Sequence, residues 1–339
     1  MDPVTKSLVD LTRSLIDIDS TSGRESEATT WLATWLRKRD YHVIEQPVAD
    51  NRVNIIATID ANSPEVFFST HIDCVPPFFP SRVENNLLYG RGACDAKGIL
   101  AAELTALECL RARGESRVGL LVVVGEENGS HGARAANSFE QACRYLINGE
   151  PTDNRLASAT RGVYRVRLAS AGIAAHSSNP ELGNSAIEKL IDALVELREV
   201  GLPRDETLGR TSYTVGMISG GVAPNVVPPS AEADVNFRTI GTARDVRSCL
   251  ETLTDKVSIE DLIIVPPVRL TTVPNFETEA FRFTTDIPFL TAWGEPLLIG
   301  PGSVKVAHTA TEHVEISELI QAVDLYQRLA LKLLTQEEK

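Results

Sequence analysis

The segment GLLVVV at 119–124 is a continuous apolar run that stops abruptly at GEEN. An uninterrupted run of this kind reads as a strand buried on both faces, as in a parallel sheet covered by helices. It constrains the fold more than any other feature, because it ends on two adjacent acids, Glu126 and Glu127. Two carboxylates at the exit of a central strand are costly unless they share a proton or hold a cation. An ordinary solvated pair is the alternative. If the chemical reading holds, one acid ligates metal, and its neighbour faces the other way as a general base.

The surrounding pattern agrees with a parallel sheet. Leu8, Leu11, Leu15 and Ile18 recur at helical spacing over 4–18, and a second amphipathic helix is expected over 25–38. Strand-like runs follow at 41–46, 53–59 and 66–70, then an Ala/Leu/Glu-rich helix at 96–112. Near residue 160 the periodicity changes. VYRVRLAS (163–170) alternates apolar and polar residues, as a half-exposed antiparallel strand does. A helix (184–199), strands at 211–219 and 231–239, a helix near 242–254 and a strand at 259–268 complete a β-α-β-β-α-β order. PLLIG (296–300) and a long terminal helix then return to the first pattern.

The expected fold class is therefore α/β, a mostly parallel sheet with helices on both faces, plus an inserted α+β two-layer domain. The expected boundaries are 1–160 with 270–339 for a catalytic, metal-binding domain, and 161–269 for the insert.

Further reactive side chains sit at strand ends, where α/β proteins place their sites. In STHIDCVPP (69–77), His71 and Asp73 point the same way along extended chain. The Asp can accept the proton on the second ring nitrogen and raise ligand basicity; a plain polar loop is the alternative. In GRGACDAKG (90–98), Asp95 stands where a helix N-cap would, and it can equally bridge two cations with its two oxygens. Glu150, in NGEPTD (148–153), precedes a proline and is therefore extended, either as a ligand or in a turn. His131 is expected near the start of the next helix. His308 and His313, in GPGSVKVAHTATEH (300–313), are too widely spaced to ligate together from one helix, so one of them is a bystander. This mixed N/O donor set suits Zn²⁺, Co²⁺ or Mn²⁺ better than Ca²⁺ or Mg²⁺.

Composition excludes other classes. With 33 Lys+Arg against 46 Asp+Glu, the net charge of −13 opposes a phosphate-backbone binder, so no nucleic-acid partner is expected. The apolar runs are too short to span a bilayer, and the N-terminus lacks an apolar signal core; no membrane partner and a cytoplasmic location are expected. The five cysteines form no C-x-x-C pair and read as small buried hydrophobes.

Taken in order, STHIDCVPP, GRGACDAKG and GEEN resemble the metallopeptidase and deacylase family of acetylornithine deacetylase, succinyl-diaminopimelate desuccinylase, glutamate carboxypeptidase and aminoacylase. The resemblance extends from LIDIDSTSGRE (15–25) to the terminal helix. It implies a dinuclear amidohydrolase with two divalent ions, zinc ahead of cobalt or manganese. His71 and Glu150 would hold the first ion, Glu127 and His308 the second, and Asp95 would bridge them through a residue whose following peptide bond is typically cis. Asp73 would orient His71, Glu126 would be the general base, and His313 would be structural.

In the insert, GIAAHSSNPELGNSAI (172–187) and GGVAPNVVPPSAEADVNFR (220–238) resemble the family's lid and dimerisation domain. His176 would then stabilise an oxyanion in a partner subunit's site, Asn225 and Arg238 would bind substrate, and the protein would be a homodimer. The implied substrate is a small N-acyl amino acid. Deacetylation of N-acetylornithine in arginine biosynthesis, to acetate and the free amino acid, is the first expectation. Desuccinylation of succinyl-diaminopimelate, deacetylation of acetylcitrulline or acetyl-lysine, and dipeptidase or carboxypeptidase activity use the same machinery. A non-catalytic binding protein on this fold is the remaining alternative.

Overall fold

The computed structural model describes residues 3–49, 51–60, 64–139 and 143–335. Ten strands build its two main sheets: β1 (His42–Ala49), β2 (Arg52–Thr58), β3 (Val66–His71), β4 (Val118–Val123), β5 (Tyr145–Asn148), β6 (Gly162–Ala171), β7 (Ser212–Gly220), β8 (Ser230–Thr239), β9 (Ser258–Val265) and β10 (Glu295–Leu298). The helices are α1 (Pro3–Ile16), α2 (Ser26–Arg37), α3 (Lys97–Ala112), α4 (His131–Ala136), α5 (Ala186–Leu197), α6 (Ala243–Cys249) and α7 (Ile316–Leu334).

The chain divides into two compact units. One comprises Met1–Ser158, Leu270–Glu279 and Thr285–Lys339; the other comprises Ala159–Arg269 and Ala280–Thr284. The first unit holds a six-stranded sheet in the order β1-β2-β4-β3-β5-β10. Pairs β3/β4, β3/β5 and β5/β10 are parallel, whereas β1/β2 and β2/β4 are antiparallel. Every residue of β3 and β4 is buried; β4 is a continuous apolar run, whereas β3 passes from Val66, Phe67 and Phe68 into the polar Ser69, Thr70 and His71. Helix α3 contributes Ile99, Leu100, Leu104, Leu107 and Leu110 to the core, each worth about 1.5–3 kcal/mol of apolar burial. On the opposite face, Trp293 is fully buried against Phe67, edge to face at 5.0 Å, and donates its Nε1–H to Ala136 O.

Register determines what meets at the sheet's end. His71 lies opposite Val123, and Ser69 lies opposite both Leu121 and Asn148. The segments that leave β3, β4 and β5 therefore emerge side by side, carrying His71–Asp73, Glu126–Glu127 and Glu150.

The second unit is a four-stranded antiparallel sheet, β7-β8-β6-β9. Alternation along β6 buries Tyr164, Val166 and Leu168 in a core with Leu190, Leu197 and Val246 of α5 and α6. It leaves Arg165 and Arg167 on the other face. Ser185 and Thr242 cap α5 and α6, the latter in a full capping box with Asp245. Among the described residues, no helix is long and apolar enough to cross a membrane.

Candidate metal centre

His71 closes β3 and is 1% exposed. Its Nδ1 lies 3.0 Å from the carbonyl oxygen of Asp73. A carbonyl only accepts, so Nδ1 carries a proton, and Nε2, which faces the Asp95 carboxylate, is the atom that would ligate once deprotonated. The Asp73 backbone takes that hydrogen bond, and the Asp73 carboxylate stands farther off, at 3.5 Å. The carboxylate is otherwise engaged. Oδ1 accepts the N–H of Glu126 (3.0 Å), while Oδ2 accepts the N–H of Glu127 (3.1 Å) and the hydroxyl of Ser22 (3.1 Å). Asp73 thus clamps the turn that carries the adjacent acids. Burial opposes its ionisation, but His71 and the two N–H groups hold its carboxyl below the usual range.

Asp95 does not cap α3. The N-cap is Ala96, without a side-chain cap, and the Asp95–Ala96 peptide is cis. The freed carboxylate faces inward. Oδ1 is 3.0 Å from His71 Nε2, and Oδ2 is 3.3 Å from His308 Nε2. His308 Nε2 also lies 2.7 Å from Glu127 Oε1. His308 adopts a φ of 63°, a conformation that a non-glycine residue takes only when its surroundings impose it. Glu150 follows Gly149, where a Cβ would meet Ile99 Cγ2 at 2.3 Å. Glycine therefore lets this strand exit press against α3.

Two triads result. One donor atom each from His71, Asp95 and Glu150 lie within 4.8 Å of one another, and so do those of Asp95, Glu127 and His308. Asp95 belongs to both. His313 lies outside them; its Nδ1 donates to Thr311 O and its ring packs on Tyr89 at 5.1 Å. His131 begins α4.

The electrostatics fit a cation. Burial, then the charges of Asp286 and Glu150, push the carboxyl of Glu126 well above its ordinary range. Burial, then Asp95, does the same to Glu150, and burial raises Glu127. Hydrogen bonds to Asp95 and Glu127 lift His308 to about 10. Burial opposes the His71 imidazolium, but Asp73 and Asp95 still hold it well above its usual value. Acidic charge exceeds what two imidazoles can neutralise. Divalent cations bound by a carboxylate and imidazole set would relieve it.

In the second unit, Ser177 N donates to Asn225 O, and His176 bridges Val226, so His176 and Asn225 are neighbours. Ser178 N donates to His176 Nδ1, which leaves the proton on Nε2 of an exposed ring. Arg238 lies elsewhere. It lines a cavity of about 470 Å³ with Arg165, Tyr213, Asn236 and Met217, and neither His176 nor Asn225 belongs to that lining.

Among the buried acids that sequence reasoning missed are Asp286, Glu103 and Glu312. Asp286 is 1% exposed, and burial raises it to about 6. Glu103 lies within α3 with both oxygens unpartnered. Glu312 is fully buried against the Asp95 loop. A signal existed for Glu103, an acid on the apolar face between Leu100 and Leu107. Glu312 lay inside the AHTATEH motif but drew no reading beside its histidines.

A parallel-centred α/β unit that gathers five ligand-type side chains, three from strand exits and two from the Asp95 and His308 loops, has the character of a metallohydrolase. The chain belongs to peptidase family M20/M25/M40, whose model matches residues 67–332, and is thus an enzyme of the M20 metallopeptidase group, which hydrolyses amide or peptide bonds. A "Probable carboxypeptidase" of Aspergillus clavatus is 34% identical over 368 residues, covering 95% of this chain and 81% of that protein. A peptidase M20 domain-containing protein of Schizosaccharomyces pombe is 34% identical over 341 residues, covering 97% and 85%. The fold matches a tripeptidase of Staphylococcus aureus with a TM-score of 0.80 at 21% identity, covering 96% of this chain and 99% of that one. It also matches a Bacillus subtilis protein described as a dinuclear metal-binding peptidase of the M20 family, with a TM-score of 0.74 at 16% identity and 98% coverage of each chain.

Proposed function

We propose that this chain is a dinuclear metal-dependent amidohydrolase that cleaves the amide bond of an N-acyl amino acid, with N-acetylornithine as the first substrate to test. The observation that carries the reading is the pair of triads sharing Asp95, with Glu126 beside them. His71, Asp95 and Glu150 would hold one ion, and Asp95, Glu127 and His308 the other. Zinc is preferred for this donor set, with cobalt and manganese as substitutes.

The ions, when bound, supply Lewis-acid polarisation of a water and of the scissile carbonyl. Glu126 does the proton work. It would accept a proton as water attacks and return it to the departing amine. The Asp73 clamp on the Glu126 N–H fixes that base in place. In this reading His176 would offer its Nε2–H to the developing oxyanion in a partner subunit's site, Asn225 would bind a polar group of the substrate, and Arg238, which lines a separate cavity, would bind a carboxylate. The products are a carboxylic acid and a free amino acid.

The remaining elements of the reading are a homodimer and a cytoplasmic location. Exposed Val215, Met217 and Ile218 on edge strand β7 and exposed Ile191 and Val195 on α5 support pairing through the second unit.

A second reading, carboxypeptidase or dipeptidase action on short peptides, is favoured by the carboxypeptidase name of a 34% identical relative. One panel separates the two: acetylornithine, acetylcitrulline, acetyl-lysine, succinyl-diaminopimelate and free or C-terminally amidated di- and tripeptides, each with zinc, cobalt or manganese. Fast release of acetate from acetylornithine is the expected result. Inertness toward every acyl amino acid, with cleavage of free-carboxylate peptides, would replace the first reading with the second. Inertness toward the whole panel with the ions bound would favour a binding protein.

A further inference from the structure

Three of the segments that carry the proposed ligands converge on a side chain that touches none of the reacting atoms. Glu312 is fully buried and lies four residues after His308. Its Oε1 accepts three backbone N–H groups from one turn: Gly92 at 3.0 Å, Cys94 at 3.1 Å and Asp95 itself at 3.1 Å. Its Oε2 accepts from Arg91 Nη1, and Arg91 is only 2% exposed. The Arg91 Nε–H reaches on to Pro77 O, in the loop that follows His71 and Asp73. The Glu312 carbonyl also accepts the Gly90 N–H. Gly92 makes the turn possible. Its φ is +87°, and a Cβ there would meet Cys74 Sγ at 2.6 Å.

This carboxylate is an anion in a cradle of amides, and the cradle is the turn that aims Asp95. Three amides on one oxygen specify the backbone of 92–95 far more tightly than a single contact could. Arg91 extends the tie to the His71 loop, and the Glu312 backbone continues into the His308 segment. We propose that Glu312, with Arg91, is the positioning residue of the dinuclear centre: it sets the Asp95 carboxylate between the two triads and fixes the spacing of the ions before either binds. The inference rests on the metal-dependent reading above and concerns residues outside both triads.

The test is metal binding, read separately from turnover. Glu312→Gln keeps an oxygen for the three amides but turns an NH₂ toward the Arg91 guanidinium, donor against donor. Arg91→Lys keeps the charge but, as a single ammonium on a flexible stem, loses the fork that joins Glu312 to Pro77 O. Zinc and cobalt are titrated calorimetrically into the metal-free full chain, below the melting temperature of each variant, and the visible spectrum of the cobalt form is recorded. Glu312→Gln should weaken binding by about 10–100-fold and alter the cobalt bands, with Arg91→Lys showing a smaller loss of the same kind. On a substrate from the panel, kcat should fall with KM nearly unchanged.

A purely structural role predicts something else: lower melting temperatures, with wild-type affinity, stoichiometry and cobalt spectrum. That result overturns the proposal. If Glu312→Gln does not fold, Arg91→Lys decides alone, and wild-type affinity there overturns it too. Absence of metal binding by the wild-type protein would instead remove the parent reading, so the two failures are distinguishable.

Discussion

Asp73→Asn isolates the clamp under the catalytic turn. The two oxygens of Asp73 serve different donors: Oδ1 takes the Glu126 N–H, and Oδ2 takes the Glu127 N–H and the Ser22 hydroxyl. Asparagine has one oxygen and one NH₂ in the same space, so whichever way it turns, a backbone N–H faces another donor. An unpaired donor in a site this closed costs about 1–3 kcal/mol. For a unit of this size that is a fall of roughly 2–12 °C in melting temperature. The pH dependence gives a second handle. The Asp73 carboxyl is held below its ordinary value in the fold, so its stabilisation is present above the unfolded value and lost as pH falls through the folded one. The penalty of Asp73→Asn in metal-free protein should therefore be full at pH 7 and shrink below about pH 4. Differential scanning fluorimetry across pH measures the first effect. Turnover should fall by about 10–100-fold because the proposed base, Glu126, and the proposed ligand, Glu127, both lose their backbone anchor. A variant that melts with the wild type at pH 7 and turns over within a factor of about three would refute the clamp.

Other outcomes follow from the same geometry. Glu126→Gln should keep its metal content by mass spectrometry while kcat falls by about 10²–10⁴-fold; wild-type turnover would place the base elsewhere. His308 is raised to about 10 in the metal-free protein, so it is protonated at pH 7 and must lose that proton to ligate. Calorimetry of zinc binding in two buffers of different ionisation enthalpy should show proton release, and apparent affinity should rise with pH until His308 deprotonates. Glu103, buried without a partner, is raised well above its ordinary value. A raised acid stabilises the fold fully below its unfolded value and loses that contribution as pH rises, by up to about 1.4 kcal/mol per pH unit. Glu103→Gln should thus gain on the wild type as pH climbs from 4.5, and a parallel pair of stability curves would contradict this. Ile218→Lys should shift a dimer toward monomer in sedimentation velocity if edge strand β7 pairs between copies.

The legible and illegible parts of the site differ in a physical way. His71, Glu126, Glu127 and Glu150 could be read because each ends a buried strand, and a polar residue at the end of an apolar run is conspicuous in one dimension. Parallel register then brings them together without further information. Asp95 was ambiguous because a helix start accepts an acid for capping and for chemistry alike; only the backbone of 90–96 distinguishes the two. Asp286 and Glu312 were invisible because their environments are assembled from distant chain. Glu312 meets residues more than 200 positions away, and no local pattern marks an acid that will be buried by such neighbours.

Those hidden acids change the energetics of the whole site. Asp286 and Glu150 both make ionisation of Glu126 harder, Glu150 does the same to Glu103, and Asp286 to Glu150. Such a cluster is maintained against its own repulsion by the apolar core of β3, β4 and α3 on one side and by the Asp73 and Glu312 amide cradles on the other. A cation bound at the triads as proposed would relieve the repulsion among the acids there, so its binding energy would also be folding energy for the strand exits. The core that builds the sheet therefore holds, at its rim, an acidic repulsion that divalent ions would relieve.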